Sequence, residues 1–522
     1  MMGPAGPLIE ISSPKEAPAE DTDRMACLPL LLVAPALAQG AGTPLLVDVS
    51  AARGFGADPM SLGMSAGLSA TDFDGDGDVD LFVPCAGGTH DRLYVNDGTG
   101  HFMEAGERAG AGGTAAARAG LWFDADGDGL LDLLVAGDCF ADTVCGPESS
   151  LRLHRQRADG GFEDVTASAG LTVELDVYED THVGGLAAGD LDQDGDLDVV
   201  VTYWEGFLLR LLNDGSGRFV VRRNFTPDDD LTGPYWQPIV HDFDGDGLMD
   251  VFQAVDFTRN KLWRGTGGGG FEDVAAAANV DGAFNEMGVA LGDPDRDGDL
   301  DIYVTNLFST FTQRHNVLYE RLGASLVHAE VSGPAGVRDS GCGWGASFGD
   351  VDLDGRADLV AAGTCSVDDA ELFWNDAAAG LHFLRTDRRS GIEGMRASGL
   401  AQFDMDGDGD LDIALRTING VRLLENRLTP SPGRSWIQVQ LRQPGRDAMG
   451  LGATVRITDG DGRVEAAAIL AGSSLLSQEP ATAHFGVPAG APVSIEVRWP
   501  DGTTQLTSGV MPGGVVEIVR AP

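Results

Sequence analysis

Small apolar residues, acidic residues and bulky apolar residues follow one another in the same order several times along this chain. In one example, the small-residue run Gly185–Gly189 precedes the acidic stretch Asp190–Asp198, and the β-branched run Val199–Val201 follows it. Short apolar runs bounded by turn residues are typical of buried strands. Turns such as Asn213–Gly215 then connect two further strands, as expected for antiparallel hairpins. The pattern predicts four antiparallel strands per repeat.

The acidic stretch is a nine-residue motif, D-x-D-x-D-G-x-x-D, and we number its seven copies loops 1 to 7. The copies begin at Asp72, Asp124, Asp190, Asp242, Asp293, Asp350 and Asp404. Neighbouring copies start 51 to 66 residues apart, and a period of this length indicates a repeat architecture. Four-stranded units repeated around an axis form a β-propeller. We therefore expect an all-β chain with a seven-bladed β-propeller; a linear solenoid of the same units is the alternative.

The last repeat is incomplete. It ends at the strand Val421–Leu424 and lacks an outer strand of the kind seen at Phe162–Val165. The N-terminal run Leu45–Val49 has the composition of that missing strand. We predict that it completes the seventh blade and closes the ring.

The acidic motif has the chemistry of a divalent-cation loop. Side-chain oxygens at positions 1, 3, 5 and 9 and a backbone carbonyl at position 7 converge when the loop turns at its sixth residue, which is Gly in every copy. Hard oxygen ligands in this number favour calcium. An EF-hand would need a Glu at position 12, and no copy has an acidic residue there. The residues at that position are Val83, Val135, Val201, Gln253, Val304, Ala361 and Leu415.

We therefore expect about seven Ca²⁺ ions, one in each loop. The predicted ligands are Asp72, Asp74, Asp76, Asp78, Asp80, Asp124, Asp126, Asp128, Leu130, Asp132, Asp190, Asp192, Asp194, Asp196, Asp198, Asp242, Asp244, Asp246, Leu248, Asp250, Asp293, Asp295, Asp297, Asp299, Asp301, Asp350, Asp352, Asp354, Arg356, Asp358, Asp404, Asp406, Asp408, Asp410 and Asp412. The sequence indicates no catalytic residues.

The loops and their flanking strands resemble the FG-GAP/VCBS calcium loops of integrin α-subunit propellers, over about residues 45 to 428. After the Pro- and Gly-rich link Thr429–Gly433, the chain resembles the ASPIC/UnbV domain. The matching residues are Trp436–Val439, Gly450–Ala453, Ser477, Gln478, His484–Gly486 and Val497–Gly502. Val487 departs from the Gly-Leu-Gly that usually continues this motif, so we expect a different turn there.

A chain that combines these two parts is similar to the cartilage acidic protein-like family, whose animal members are extracellular calcium-binding matrix proteins. The resemblance implies no reaction. We expect a signal peptide with an N-terminal lead over residues 1–38, the propeller over 39–428, a linker over 429–435 and the ASPIC/UnbV domain over 436–522. Alternating apolar positions in that last segment predict a small β-sandwich-like domain.

The composition limits the classes of partner that this chain can bind. The formal net charge is −46, which excludes a general attraction to nucleic acid or to anionic membranes. Seven calcium ions would leave about −32, which is still strongly acidic. No apolar run reaches the length of a membrane-spanning helix. We expect a monomer with an unknown extracellular protein or glycan partner.

The N-terminus and the cysteines indicate an oxidising compartment. The apolar run Leu28–Val33, followed by Ala36-Leu37-Ala38, predicts a secretory signal, with Met1 or Met25 as the start. Two disulfides are predicted, Cys139 with Cys145 and Cys342 with Cys365, while Cys85 is interpreted as a small buried residue. We expect secretion, with the periplasm and the cell surface as alternatives.

Exposed aromatic residues in the third and fourth repeats are candidates for partner binding, because aromatic rings stack on sugars and anchor protein interfaces. These are Tyr178, Tyr203, Trp204, Tyr235 and Trp236; packing in the core is the alternative. Our hypothesis is a secreted, non-enzymatic, calcium-stabilised binding protein. A calcium-dependent polysaccharide lyase or hydrolase, or a module of an envelope or secretion assembly, is the alternative.

Overall fold

The computed structural model describes residues 45–521 except for 57–65, 86–89, 112–115, 139–150, 173–180, 227–232, 308–314, 324, 339–341, 365–369, 376–380, 386–389, 393, 429–431 and 446. Strands dominate these residues, and the three α-helices have four residues each. In the described part of the chain, no helix is long and apolar enough to cross a membrane.

The strands up to residue 426 form four-stranded antiparallel units, one around each acidic loop. The chain first enters β1 (Leu46–Asp48). Unit 1 contains β2 (Ser69–Thr71), β3 (Asp80–Val83), β4 (Arg92–Asn96) and β5 (Phe102–Glu104), and α1 (Gly106–Ala109) follows it. Unit 2 contains β6 (Ala116–Phe123), β7 (Asp132–Asp138), β8 (Leu151–Gln156) and β9 (Phe162–Asp164). Unit 3 contains β10 (Val183–Gly189), β11 (Asp198–Tyr203), β12 (Phe207–Asn213) and β13 (Phe219–Arg223).

The next two units share one hydrogen-bonded sheet. Unit 4 contains β14 (Tyr235–His241), β15 (Asp250–Arg259), β16 (Lys261–Gly267) and β17 (Gly270–Asp273), and α2 (Ala275–Ala278) follows it. Unit 5 contains β18 (Ala283–Gly292), β19 (Asp301–Asn306), β20 (Val317–Arg321) and β21 (His328–Glu330), and α3 (Ser332–Ala335) follows it. Strands β15 and β18 pair across the boundary between the two units.

The remaining units complete the repeat region. Unit 6 contains β22 (Gly343–Gly349), β23 (Asp358–Gly363), β24 (Glu371–Asn375) and β25 (Phe383–Arg385). Unit 7 contains β26 (Ala397–Phe403), β27 (Asp412–Thr417) and β28 (Gly420–Asn426). Strand β1 pairs antiparallel with β28, from Leu46 opposite Asn426 to Asp48 opposite Leu424. The prediction that the N-terminal strand completes the last unit is therefore confirmed.

The first strand of each unit contacts the first strands of both neighbouring units. This series runs from β2 through β6, β10, β14, β18 and β22 to β26, and β26 contacts β2 again. Strands β7 and β11 are buried along their whole length, whereas the outer strand β9 buries only Phe162. Inner strands with both faces packed against neighbouring units account for the continuous apolar runs in the sequence.

The C-terminal region forms two further sheets. Its strands are β29 (Arg434–Arg442), β30 (Thr454–Thr458), β31 (Val464–Ala468), β32 (Thr482–Pro488), β33 (Val493–Arg498), β34 (Thr504–Val510) and β35 (Gly514–Val519). One sheet has the order β32-β29-β35, with β29 and β35 parallel, and the other has the order β31-β30-β33-β34. Apolar side chains between the two sheets, such as Ile437, Val455 and Ile495, are fully buried.

Residues 469–481, which connect β31 to β32, extend along the ring of first strands, and we call them the axial segment. Ala471 bridges Ala188 of unit 3, and Gln478 bridges Ser69 of unit 1. The Gln478 side-chain oxygen accepts a hydrogen bond from the Trp122 amide at 2.7 Å, and its amide group donates to the Trp122 carbonyl at 3.1 Å. On the opposite side, Glu479 accepts hydrogen bonds from Ser347 and from the Gln402 amide. The C-terminal region thus inserts a segment into the centre of the repeat region.

Several sequence-based predictions concern the N-terminus and the cysteines. The predicted signal peptide over residues 1–38 lies outside the described residues, as do Cys139, Cys145 and Cys365. Cys342 and Cys85 are both buried. The interpretation of Cys85 as a buried small residue is therefore confirmed.

Candidate metal centres

Each acidic loop lies between the first and second strands of its unit and is closed by its own first aspartate. In loop 1, Asp72 Oδ1 accepts a hydrogen bond from the Gly75 amide at 2.8 Å, and Oδ2 accepts one from the Gly77 amide at 3.0 Å. The bond from the sixth-position amide to the first carboxylate recurs in all seven loops at 2.7 to 3.1 Å. The turn predicted at the sixth-position Gly is therefore present in every copy.

The ninth-position aspartate is held from two sides. Its Oδ1 accepts a hydrogen bond from a backbone amide at or near the end of the third strand, at 2.7 to 2.9 Å in all seven units. In six loops its Oδ2 accepts a bond from the amide of the second loop residue. Loop 5 has Pro294 at that position, which has no N–H, and Asp301 Oδ2 is buried there without a hydrogen-bond partner.

The carboxylates of one loop lie close together. Three aspartates each bring one oxygen within 4.8 Å of the other two in loops 1 to 5. These triads are Asp72, Asp74 and Asp80; Asp124, Asp126 and Asp132; Asp190, Asp192 and Asp194; Asp242, Asp244 and Asp246; and Asp293, Asp295 and Asp297. The structure therefore brings together the side chains of positions 1 and 3 with either position 5 or position 9, whereas none of these triads includes a seventh-position side chain.

Several loop oxygens are buried without a hydrogen-bond donor in the described part of the chain. They are Oδ1 of Asp126, Asp192, Asp299, Asp354 and Asp410, together with Oδ2 of Asp301. A buried carboxylate oxygen that lacks a partner is costly, and a cation placed among such oxygens removes that cost. The residues present therefore fit a hard divalent ion with oxygen ligands.

Burial and mutual repulsion raise the pKa values of these carboxyl groups. Burial, followed by the repulsion of neighbouring loop carboxylates, raises the pKa of Asp198 to about 8 and that of Asp301 to about 9, although backbone amides oppose the change. The same causes raise the pKa of Asp132 to about 7. Loops 1 to 4 and loop 7 contain no basic side chain to compensate this negative charge, whereas loops 5 and 6 contain one arginine each, Arg296 and Arg356.

The fourth loop position was missed by sequence reasoning. Its φ is positive in every loop: Gly occupies it in loops 1, 2, 4 and 7, but Gln193, Arg296 and Leu353 occupy it in loops 3, 5 and 6, with φ of 69°, 65° and 56°. A residue with a Cβ adopts this conformation at a cost, and such strain concentrates at functional sites. The sequence signal for this conformation was a Gly at the fourth position, in addition to the sixth-position Gly, in four of the seven motifs.

A contact between neighbouring units was also missed. The Asn or Gln that ends the third strand in five units donates its side-chain amide to the second-position carbonyl of the preceding loop. Asn96 of unit 1 donates in this way to Met405 in loop 7, at 2.9 Å. The donors are Asn96, Gln156, Asn213, Asn375 and Asn426. These bonds hold loops 1, 2, 5, 6 and 7 against the next unit.

The C-terminal region contacts loops 4 to 7 directly. Arg498 Nη2 lies 2.8 Å from Asp242 Oδ2 in loop 4, and the Ala466 amide donates to Asp293 Oδ2 in loop 5 at 2.9 Å. Arg434 Nε donates to the Leu353 carbonyl in loop 6 at 2.7 Å. In loop 7, His484 Nε2 lies 3.0 Å from the Gly409 carbonyl, which can only accept. Four candidate metal centres therefore lie at the boundary with the C-terminal region.

The predicted aromatic surface is mostly wrong. Tyr203, Tyr235 and Trp236 are at most 3% exposed because they fill the packed spaces between units, and Tyr178 lies outside the described residues. Trp204 is the exposed one of the set, at 37%. Phe257 was missed: it is 65% exposed and has a φ of 63°, which is strained for an aromatic residue.

Comparisons with known proteins identify both regions. The family model of the FG-GAP-like repeat matches residues 72–135, 136–201, 190–252, 242–304 and 350–415. The family model described as ASPIC and UnbV matches residues 443–521. Together they cover most of the described chain.

Curated relatives match parts of the chain. Cartilage acidic protein 1 of Mus musculus is 28% identical over 291 residues, covering 48% of this chain and 40% of that protein. The protein of the same name from Xenopus tropicalis is 29% identical over 187 residues, covering 33% of this chain and 27% of that protein. The human one is 33% identical over 120 residues, covering 22% and 17%. The matched part of this chain thus spans less than half the length of each relative.

One solved structure aligns with much of the chain, at low similarity. It is a chain from a crystal structure of BBS1N in complex with ARL6DN, soaked with mercury. The match has a TM-score of 0.43 and 12% sequence identity, and it covers 74% of this chain and 99% of that one.

Proposed function

Because the chain belongs to the cartilage acidic protein-like family of FG-GAP-repeat β-propellers with a C-terminal ASPIC and UnbV domain, we propose that it is a secreted, non-enzymatic calcium-binding protein. In this proposal the propeller is a rigid support that presents surface loops to an extracellular protein or glycan. The observation that carries the calcium assignment is the set of buried carboxylate oxygens without donors in the acidic loops.

The ligands we propose are the side chains at positions 1, 3, 5 and 9 of each loop and the backbone carbonyl at position 7. Calcium takes six to eight oxygen ligands in flexible geometry, which suits loops whose seventh residue varies from Asp to Leu to Arg. When bound, the ion supplies the positive charge that the clustered aspartates lack. The chain's own residues hold the loop ready, through the amides that donate to the first and ninth carboxylates.

We assign seven blades to the propeller, one for each acidic loop. The support is the continuous series of contacting first strands from β2 to β26 and back to β2. The pairing of β1 with β28 and the bond from Asn96 to the Met405 carbonyl join the first and last units in the same way. The two C-terminal sheets support a small sandwich-like domain beside it.

The axial segment, which fills the centre of the ring, supports a binding role at another surface. Many propellers hold small ligands on their axis, but here the axial segment hydrogen-bonds to first-strand residues on opposite sides of the ring. The partner would then contact an outer surface instead. Trp204 and Phe257, which are exposed near the boundary of units 3 and 4, are the aromatic residues we propose for that contact.

Thermal unfolding with and without calcium tests the calcium assignment. An ion that binds only the folded chain stabilises it by about 1.4 kcal/mol per site when its free concentration is about ten times the dissociation constant. We expect EGTA to lower the melting temperature by several degrees or more, and excess calcium to restore it. EGTA already saturated with calcium is the control. An unchanged melting temperature in EGTA would remove the proposal.

A further inference from the structure

Strand β31 of the C-terminal domain lies against loops 5 and 6. The Ala466 amide donates to Asp293 Oδ2 at 2.9 Å, and Val464 packs against Gly298 of the same loop. Loop 6 is covered by a neighbouring part of the domain, because a Cβ added to Gly486 would overlap Asp350 Oδ2. The residue between Val464 and Ala466 is an acid, Glu465.

Glu465 carries the same signature as the loop aspartates. Its side chain is 4% exposed, and its Oε2 is buried with no hydrogen-bond partner among the described residues. The charges that act on it are the carboxylates of Asp350, Asp293 and Asp354 and the guanidinium of Arg296. A buried acid placed beside three others is unfavourable unless a cation lies among them.

Loop 6 has the same four ligand aspartates as the other loops. Its seventh residue is Arg356, whereas loops 1, 3, 5 and 7 have an acidic residue there. Its fifth-position Asp354 has Oδ1 buried without a donor, like Glu465 Oε2. Calcium accepts ligands from outside a loop because its coordination number is variable. A carboxylate supplied by the neighbouring domain would add one further oxygen ligand to this site.

We propose that Glu465 is an additional oxygen ligand, directly or through one water molecule, of the calcium ion held by loop 6. This ion then joins the C-terminal domain to the propeller, so calcium binding at loop 6 and domain docking are coupled. The inference rests on the proposed function, since it requires that the loops hold calcium. The rival explanation is a calcium-independent ion pair between Glu465 and Arg296.

The test compares Glu465→Gln with Glu517→Gln in the full chain. Glu517 lies in β35 of the same domain, half-exposed and 3.4 Å from Arg442, so its substitution controls for the loss of one acid. Calcium affinity is measured by competition with a chelating dye, and amide hydrogen exchange of β31 is measured with and without calcium. For Glu465→Gln we expect one site to weaken by about tenfold to 100-fold and the calcium-dependent protection of β31 to shrink. Glu517→Gln should match the wild type in both.

A double-mutant comparison identifies the loop. The effects of Glu465→Gln and Asp354→Asn on calcium affinity should be non-additive, because both residues contact one ion. Glu465→Gln and Asp76→Asn, which affects loop 1, should add. Should Glu465→Gln fail to fold by circular dichroism, Glu465→Asp is measured in the same way, and withdrawal of the carboxylate by one methylene should weaken the same site.

Each contrary result has a separate meaning. A Glu465→Gln chain with wild-type calcium affinity and wild-type exchange of β31 overturns the inference, as does loosening of β31 that is equal with and without calcium. Arg296→Met would reproduce that second pattern if the ion pair were the explanation. A wild-type chain that binds no calcium would instead overturn the proposed function on which the inference rests.

Discussion

The fourth residue of each acidic loop has a left-handed backbone, whichever side chain it carries. In loops 1, 2, 3, 4 and 7 this conformation turns the fourth-position amide toward the first carboxylate, as in Gly75 to Asp72 at 2.8 Å and Gln193 to Asp190 at 2.7 Å. A Cβ at this position costs conformational energy, yet three loops accept that cost. The loop geometry is therefore imposed by the surrounding contacts and does not depend on glycine alone.

Adding a Cβ at the fourth loop position should lower the free energy of unfolding, whereas removing one should raise it or leave it unchanged. A Cβ added to Gly75 would meet no atom within 4 Å, so Gly75→Ala isolates the backbone cost and should destabilise the calcium-loaded chain by about 1 kcal/mol. Gln193→Gly should stabilise it by a similar amount or leave it unchanged. Denaturant unfolding in excess calcium measures both.

Gly56→Ala is the matched control for this pair. Gly56 also has no atom within 4 Å of an added Cβ, but its φ is not positive. Its replacement should be neutral or slightly stabilising, because alanine reduces the freedom of the unfolded chain. A stabilising effect of Gly75→Ala, or a loss on Gln193→Gly that exceeds about 1 kcal/mol, would show that this account of the turn is wrong.

At the scale of elements, the third strand contacts two loops at once in five of the seven units. A backbone amide at or near its end donates to the ninth aspartate of its own loop, and in those five units the side chain of the same residue donates to the preceding loop. Gly265 and Arg321 occupy the equivalent position in units 4 and 5. Those are the two units that share a sheet through β15 and β18. Backbone pairing thus joins the two units that lack the amide side chain.

Asn96→Ala tests the bond between the first and last units. The substitution removes the donor to the carbonyls of Met405 and Val79 and the acceptor for the Gly98 and Gly100 amides. Buried groups left without partners cost about 1–3 kcal/mol in the free energy of unfolding. Denaturant unfolding should show a loss of this size.

The control for Asn96→Ala is Asn419→Ala, at an exposed position in the turn between β27 and β28. Its effect should stay below about 0.5 kcal/mol, as for most surface substitutions. Equal effects of the two substitutions would show that the side-chain bonds between units contribute nothing specific to ring closure.

The strands and loops were predictable from sequence because their determinants are local and repeated. The period located every acidic loop, and the missing outer strand of unit 7 indicated β1 correctly. The aromatic residues were not predictable in this way. Tyr203 and Trp204 are adjacent in sequence, but the first is fully buried and the second exposed. Only the packing between units decides which of the two faces solvent.

At the scale of the whole molecule, the C-terminal domain distinguishes loops that look equivalent in sequence. Arg498, Ala466, Arg434 and His484 contact loops 4 to 7 respectively. No local pattern could specify this, because the contacts depend on the relative orientation of two domains. The axial segment was missed for the same reason, although Gln478 lies in a motif that the sequence analysis had identified. The contacts between the C-terminal domain and the repeat region are thus the part of the candidate site that could not be predicted from the sequence.

Because the net charge is −46, the proposed calcium ions would matter to the whole fold as well as to single loops. Each ion would lower the repulsion within its loop, and the long-range repulsion across the molecule would fall with it. The bonds that hold the loops connect neighbouring units and the C-terminal domain. Occupied loops should therefore stabilise the ring and the docked domain together.

The most direct measurement is the number of calcium ions retained per chain. The purified protein, without the predicted signal peptide, is dialysed against about 1 mM calcium, a concentration at which extracellular loops of this kind are filled. Elemental analysis then gives the calcium content per chain. The account predicts a value near seven. A value near zero would contradict it, because the acidic loops would then hold no ion under conditions that should fill them.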